Sequence, residues 1–145
     1  MQLTRFSDLT LRLLLYLASR DQPLEAVVTV RGMSTLFHVP YTHMVKVVHQ
    51  LGLRGMVATT KGKGGGVRLM RDPTIVRIGE VLRMTEPAGE IIDCFTQACP
   101  LRFDCRLKEA LDEAHEAFFK ELDRHTLADF ATMPTLRALV QVSGA

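Results

Sequence analysis

Cysteine is scarce in this sequence, with three residues in 145, and all of them fall within the stretch CFTQACPLRFDC as Cys94, Cys99 and Cys105. An odd number of thiols argues against a framework of paired structural disulfides and leaves metal binding or thiol chemistry for that stretch. Long apolar runs are also missing. The one that begins near Leu9 is interrupted by Arg12 and no small-residue cleavage site follows it. Neither a secretory signal nor a membrane span is therefore expected, and the expected compartment is the cytoplasm. Overall charge is nearly absent too, at +2.

What is present is enough apolar material for a real core, 47% of the residues, in a chain the size of one ordinary domain or a small domain with an appendage. The small net charge hides an uneven distribution. Residues 1–71 carry ten Lys/Arg against three Asp/Glu, and residues 72–145 carry eight against thirteen. A basic half is the footprint of a surface that neutralises phosphates, with unevenly spread solvated charge as the plainer alternative.

The basic half reads as two helices and a tight turn preceded by another helix. Ser7 is placed to cap a first helix, Ser7 to about Ser19, whose Leu9, Leu13, Tyr16 and Leu17 recur at three- and four-residue spacing. Thr29 opens a short helix with Val30, Met33 and Phe37 on one face, stopped at Val39-Pro40 because a residue before proline avoids the helical region. The next helix starts at once, turns Met44, Val47, Val48 and Leu51 inward, and has Gly52 as its expected C-cap. It leaves Tyr41, Thr42, His43, Lys46 and His49 to solvent, the pattern of a helix-turn-helix whose second helix reads double-stranded DNA. MVATT and VRLMR then flank KGKGGG, a β-hairpin wing with Lys61 and Lys63 at a glycine-rich tip suited to phosphates. A nucleotide-binding loop would need Gly-Lys-Ser/Thr and a helix behind it, and here Gly66 leads into Val67-Arg68-Leu69.

The acidic half holds a short amphipathic helix through Ile78, Val81 and Leu82, ended by Pro87, then the cysteine loop, then a long helix. In that helix Leu107, Leu111, Ala114, Phe118 and Leu122 keep near-heptad spacing. Packing on its own domain is one use for such a stripe. Pairing with a second copy, which would set two recognition helices about one DNA turn apart, is the other. The expected fold is mainly α with a small β-hairpin wing. Its expected parts are a winged helix-turn-helix domain over 1–85, a cysteine loop over 86–106, a dimerisation helix over 104–125 and a C-terminal segment over 126–145.

Three thiolates suit an iron-sulfur cluster or zinc, and either calls for a further ligand. His115 lies nearly three helical turns beyond Cys105 and would reach it with difficulty. His38, His43, His49 and His125 read as structural or DNA-facing, with His43 placed early enough in the recognition helix to meet bases or phosphates.

The opening MQLTRFSDLTLRLLLYLA, the segment HMVKVVHQLG, the wing GKGGGVRL and the spacing C-x4-C-x5-C resemble the winged-helix iron-sulfur regulators of the IscR/NsrR family, and within it the nitric-oxide-sensing repressors. The likeness runs along nearly the whole chain, the last fifteen or so residues excepted. It implies a homodimeric transcriptional repressor on operator DNA, not an enzyme, whose 4Fe-4S or 2Fe-2S cluster is damaged by nitric oxide, releasing the DNA. It also implies a fourth ligand: where IscR-like members place a histidine three residues past the last cysteine this chain has Lys108, and the nitric-oxide sensors suggest Asp8, given by the other subunit. Arg12, four residues on, is spaced to pair with Asp8 and fix its rotamer. Two other classes stay open at this stage: a redox- or zinc-responsive winged-helix regulator whose cysteines form a disulfide or a zinc site, and a small electron carrier or thiol enzyme, which would have no use for a winged helix-turn-helix.

Overall fold

The computed structural model describes residues 2–89, 91–96 and 98–143. Helix α1 (Arg5–Ala18) is the centre of the molecule, and α3, α4, α6, α7 and β2 all pack on it. Its Leu13, Leu14, Tyr16 and Leu17 are fully buried. Each such leucine contributes about 1.5–3 kcal/mol relative to leaving it in water. Ser7 does not cap this helix. The N-cap is Thr4, whose Oγ1 accepts from the Ser7 amide at 3.1 Å, and Ser7 itself is buried one turn inside. The helix thus begins earlier than expected because the chain turns extended at Thr4, where a hydroxyl can satisfy an orphan amide.

The next two helices meet the expectation of a helix-turn-helix. Thr29 caps α2 (Val30–Leu36) through a 3.0 Å bond from the Gly32 amide, and α3 (Tyr41–Leu53) starts directly after Pro40. Met44, Val47, Val48 and Leu51 are buried, as their spacing requires. Gly52, however, lies inside α3, not at its end. Arg54 is the C-cap and Gly55 adopts the left-handed conformation at φ 68 that glycine accepts without strain.

The wing consists of β1 (Val57–Thr60) and β2 (Gly66–Leu69), antiparallel, with Val57 opposite Leu69 and Thr60 opposite Gly66. A third segment joins it. Val28 exchanges both backbone bonds with Val67, at 2.9 and 2.7 Å, so the chain between α1 and α2 borders the sheet. Gly66 makes this possible, since a Cβ there would stand 2.8 Å from the Val27 side chain.

Helix α4 (Ile78–Thr85) buries Ile78, Val81 and Leu82. Helix α5 (Arg106–Leu122) crosses it, and the residue it buries is Phe119, one position off the near-heptad stripe. Of the stripe itself, Leu111, Phe118 and Leu122 are half-buried while Leu107 is 64% exposed. The C-terminal segment is helical: α6 (Leu127–Ala131), begun by a Thr126/Asp129 capping box, and α7 (Pro134–Ser143) both pack on α1. Backbone bonds from Ile78 to His125 and from Leu127 to Val76, each 2.9 Å, tie this segment to the start of α4. Among the described residues no helix is long and apolar enough to cross a membrane.

Candidate nucleic-acid interface and cysteine loop

The first turn of α3 receives no side-chain cap, so amide groups at its start are available to an incoming anion at the positive end of the helix dipole. Tyr41 and Thr42 lie in that turn and are exposed. Arg31 of α2 sits over the Tyr41 ring, 5.0 Å from guanidinium carbon to centroid, which fixes the ring and adds a cation beside it. Sequence reasoning overlooked Arg31; its position one residue into α2 was the available signal. At the wing tip Lys61 and Lys63 are exposed beside Gly62 and Gly64, whose φ values of 91 and 78 form a tight turn closed to most side chains. Cationic side chains on such a tip can follow phosphate oxygens into a groove.

Between α1 and the start of α3 lies a cleft of about 550 Å³ with Phe6, Leu9 and Val47 among its apolar lining. The structure brings four of the predicted residues together here: Asp8 and Arg12 from α1, His43 and Lys46 from α3. Arg5, which sequence reasoning passed over, lines it too, one turn before Asp8 and two before Arg12. Asp8 accepts from Arg12 Nε at 2.9 Å, and Arg12 Nη2 lies 2.9 Å from the other carboxylate oxygen, a two-pronged ion pair left half-exposed to solvent. The pair fixes the carboxylate on the outer face of α1, where a group from outside the chain can approach it. His38, in the turn between α2 and α3, also borders the cleft and adopts φ 52.

The cysteine loop is built on two anchors. Asp93 accepts from the amides of Phe95 and Thr96 at 3.0 and 2.9 Å, a tight turn around Cys94 that leaves this thiol 4% exposed. Cys105 is the N-cap residue of α5, so the last thiol rides on a rigid element, and Cys99 between them follows Ala98 at φ 47. Among the described residues the three cysteines form no disulfide, and no three Cys, His, Asp or Glu side chains are grouped tightly enough to hold a metal ion. The donor chemistry fits an iron-sulfur cluster: three soft thiols within one short loop, and a fourth ligand to come from elsewhere. Lys108, three residues past Cys105, is engaged with Asp112 in the first turns of α5. The His115 ring packs against Phe119 at 4.9 Å.

The Rrf2 family model, described as iron-dependent transcriptional regulators, matches residues 3–133. The chain is 41% identical to the HTH-type transcriptional regulator NsrR of Shouchella clausii over 97% of this chain and 96% of that one. It is 42% identical to the NsrR regulator of Halalkalibacterium halodurans, over 91% of each. Among solved structures, the oxidized form of Staphylococcus aureus CymR superposes with a TM-score of 0.72 at 20% identity, over 92% of this chain and 98% of that one. T. potens IscR superposes with a TM-score of 0.65 at 18% identity, covering 89% and 85%. These two likenesses are likenesses of fold, and the fold they share is the winged helix-turn-helix with a long helix behind it.

Proposed function

The chain belongs to the Rrf2 family of transcriptional regulators, and from this we propose that it is a homodimeric repressor whose cysteine loop carries a nitric-oxide-sensitive iron-sulfur cluster. Cys94, Cys99 and Cys105 would hold the cluster together with Asp8 of the partner subunit. A cluster held there would supply iron sites reactive toward nitric oxide, with the Asp8 carboxylate a harder donor than the thiolates.

The observation that carries this reading is the Asp8–Arg12 ion pair on the wall of a cleft whose opposite wall is the recognition helix. Engaged from outside the chain, Asp8 would leave Arg12 free in the cleft beside α3; unengaged, it pairs with Arg12 as seen here. The consequence falls on His43 and Lys46, which share the cleft, and through them on the register of Tyr41 and Thr42 against base edges. Lys61 and Lys63 supply affinity without sequence preference. A coupling of about 1–3 kcal/mol between loop and recognition helix changes DNA affinity severalfold to a hundredfold. Leu107, Leu111 and Ala114, exposed or half-exposed in the single chain, supply the apolar surface for pairing α5 with its copy.

Anaerobic loading with ferrous iron and sulfide, followed by duplex titration with and without nitric oxide, tests the reading. A brown protein with an iron-to-sulfide ratio near unity and DNA affinity that drops on nitric oxide treatment is expected. A colourless protein that retains zinc, or affinity indifferent to nitric oxide, would replace it with a zinc- or disulfide-based regulator.

A further inference from the structure

Glu86 joins two segments that lie 82 residues apart in the chain. Its Oε1 accepts from the Thr4 amide at 2.8 Å and from the Thr4 hydroxyl at 3.2 Å. The Thr4 carbonyl in turn accepts from the Asp8 amide at 3.0 Å, and the Asp8 carboxylate accepts from Arg12 at 2.9 Å. A continuous hydrogen-bonded path therefore runs from Glu86 through the first turn of α1 to the cleft. On its other side Glu86 is the C-cap of α4, its amide donating to the Leu82 carbonyl at 2.8 Å and its backbone extended at ψ 150. Pro87 follows, and Cys94 comes eight residues after Glu86.

The choice of Glu86 for this task is informative. Helices commonly satisfy the N-cap amide locally, by a Glu or Gln three residues on whose side chain reaches back. In α1 that position is Ser7, too short for the reach, although its hydroxyl lies 2.9 Å from Thr4 Oγ1. The remote carboxylate takes the place of the local one. The start of α1 thus depends on where the chain leaves α4 for the cysteine loop, a dependence that a local cap would remove.

We propose that Glu86 is a positioning residue, a latch through which the cysteine loop of a subunit sets the first turn of its own α1 and hence the carboxylate of Asp8. The proposal rests on the reading above, in which that loop is the sensing element. If Asp8 serves the partner's loop, the two loops of a dimer are linked in series: disorder in one loosens the helix that serves the other.

Hydrogen exchange of the segment 4–10 in the full-length chain tests the latch, before and after capping the thiols with iodoacetamide. In the wild type, capping is expected to speed exchange about two- to thirtyfold, the span of one lost helix cap. Glu86→Ala should exchange fast from the start and no longer respond to capping. Glu86→Gln, which keeps an oxygen acceptor, should behave nearly as wild type. Thr4→Val, which keeps the amide and loses the hydroxyl, should respond to an intermediate degree and serves if the alanine variant fails to fold. A wild type insensitive to capping, or a Glu86→Ala variant that responds as the wild type does, would overturn the latch and leave Glu86 a structural cap. Iron and sulfide loading of the wild type separates this outcome from failure of the cluster reading. A colourless product whose α1 still follows thiol capping supports the latch and removes the cluster; a brown product whose α1 ignores both capping and loading removes the latch alone.

Discussion

Gly79 on α4 and Phe119 on α5 lie so close that a Cβ on Gly79 would stand 2.6 Å from the Phe119 carbonyl oxygen. Around this crossing Arg83 reaches Asp123 at 2.7 Å and Glu116 at 3.4 Å and covers the Phe119 ring at 5.0 Å. The hydrogen bond that Arg83 donates to the Asp123 carboxylate raises its guanidinium above its ordinary range. Gly79→Ala is expected to push the helices apart and cost about 1–3 kcal/mol, the usual price of overpacking, read as a lowered urea midpoint.

The half of α5 nearest the cysteine loop is the proposed seam between two copies of the chain. Leu107→Glu should leave the urea midpoint of the monomer unchanged, since Leu107 is exposed in the single chain. If α5 pairs with its copy as proposed, the variant should sediment as monomer and the wild type as dimer, because a charge in an apolar seam is strongly disfavoured. Phe118→Glu is a poorer probe, as Phe118 also leans on the core of its own chain. An intact Leu107→Glu dimer would move the interface away from the first turns of α5.

His38 holds φ 52 in the turn between α2 and α3. A left-handed conformation costs a residue with a Cβ roughly 1–2 kcal/mol, and glycine recovers part of that at the expense of a looser unfolded chain. His38→Gly should therefore unfold at an equal or slightly higher urea concentration, and His38→Val at a clearly lower one.

Replacing Lys61 and Lys63 by alanine should weaken duplex binding to every sequence alike and reduce the slope of log affinity against log salt by about two. Changes at Tyr41 or Thr42 should instead alter the ratio between sites, by about 1–3 kcal/mol wherever a base edge is read. Equal salt slopes for the lysine variant and the wild type would place the wing off the DNA.

Acid should destabilise the fold in a defined window. Burial alone would raise Glu86, yet the bonds from the Ser7 hydroxyl and from Thr4 hold it below its ordinary value of 4.5. The Thr74 hydroxyl lowers Asp72, the Thr96 hydroxyl lowers Asp93, and the Thr126 amide lowers Asp129. A depressed carboxylate binds fewer protons in the native state than in the unfolded one, so its contribution is complete above the ordinary value and disappears as pH falls through the native one. The urea midpoint should be insensitive to these groups above about pH 5 and fall below about pH 4, less steeply in Glu86→Gln.

The elements most readable from sequence are those whose signals are local. Thr29 before α2, Pro40 before α3, and the lysine-glycine tip of the wing all sit where their chemistry puts them. Errors arose where two neighbours offered the same chemistry. Thr4 and Ser7 both carry hydroxyls, and Gly52 and Gly55 both tolerate a helix end; backbone conformation decides between them. Phe119 lies about 100° around α5 from Phe118, on the face that meets α4, so the near-heptad stripe does not mark it. The Asp8–Arg12 pair was legible from its spacing, whereas Glu86 and Thr4 meet only through the tertiary fold.

The double bond pair between Val28 and Val67 gives the wing a third rung, and a two-stranded hairpin alone is at best marginal in water. With its root held, the free wing keeps fewer conformations, so less ordering would remain if Lys61 and Lys63 engage DNA as proposed. The entropy of ordering the wing is met during folding instead of at each binding event. Cutting the Val28 rung should therefore appear as a less favourable entropy of association in calorimetry, with the enthalpy of the lysine contacts unchanged.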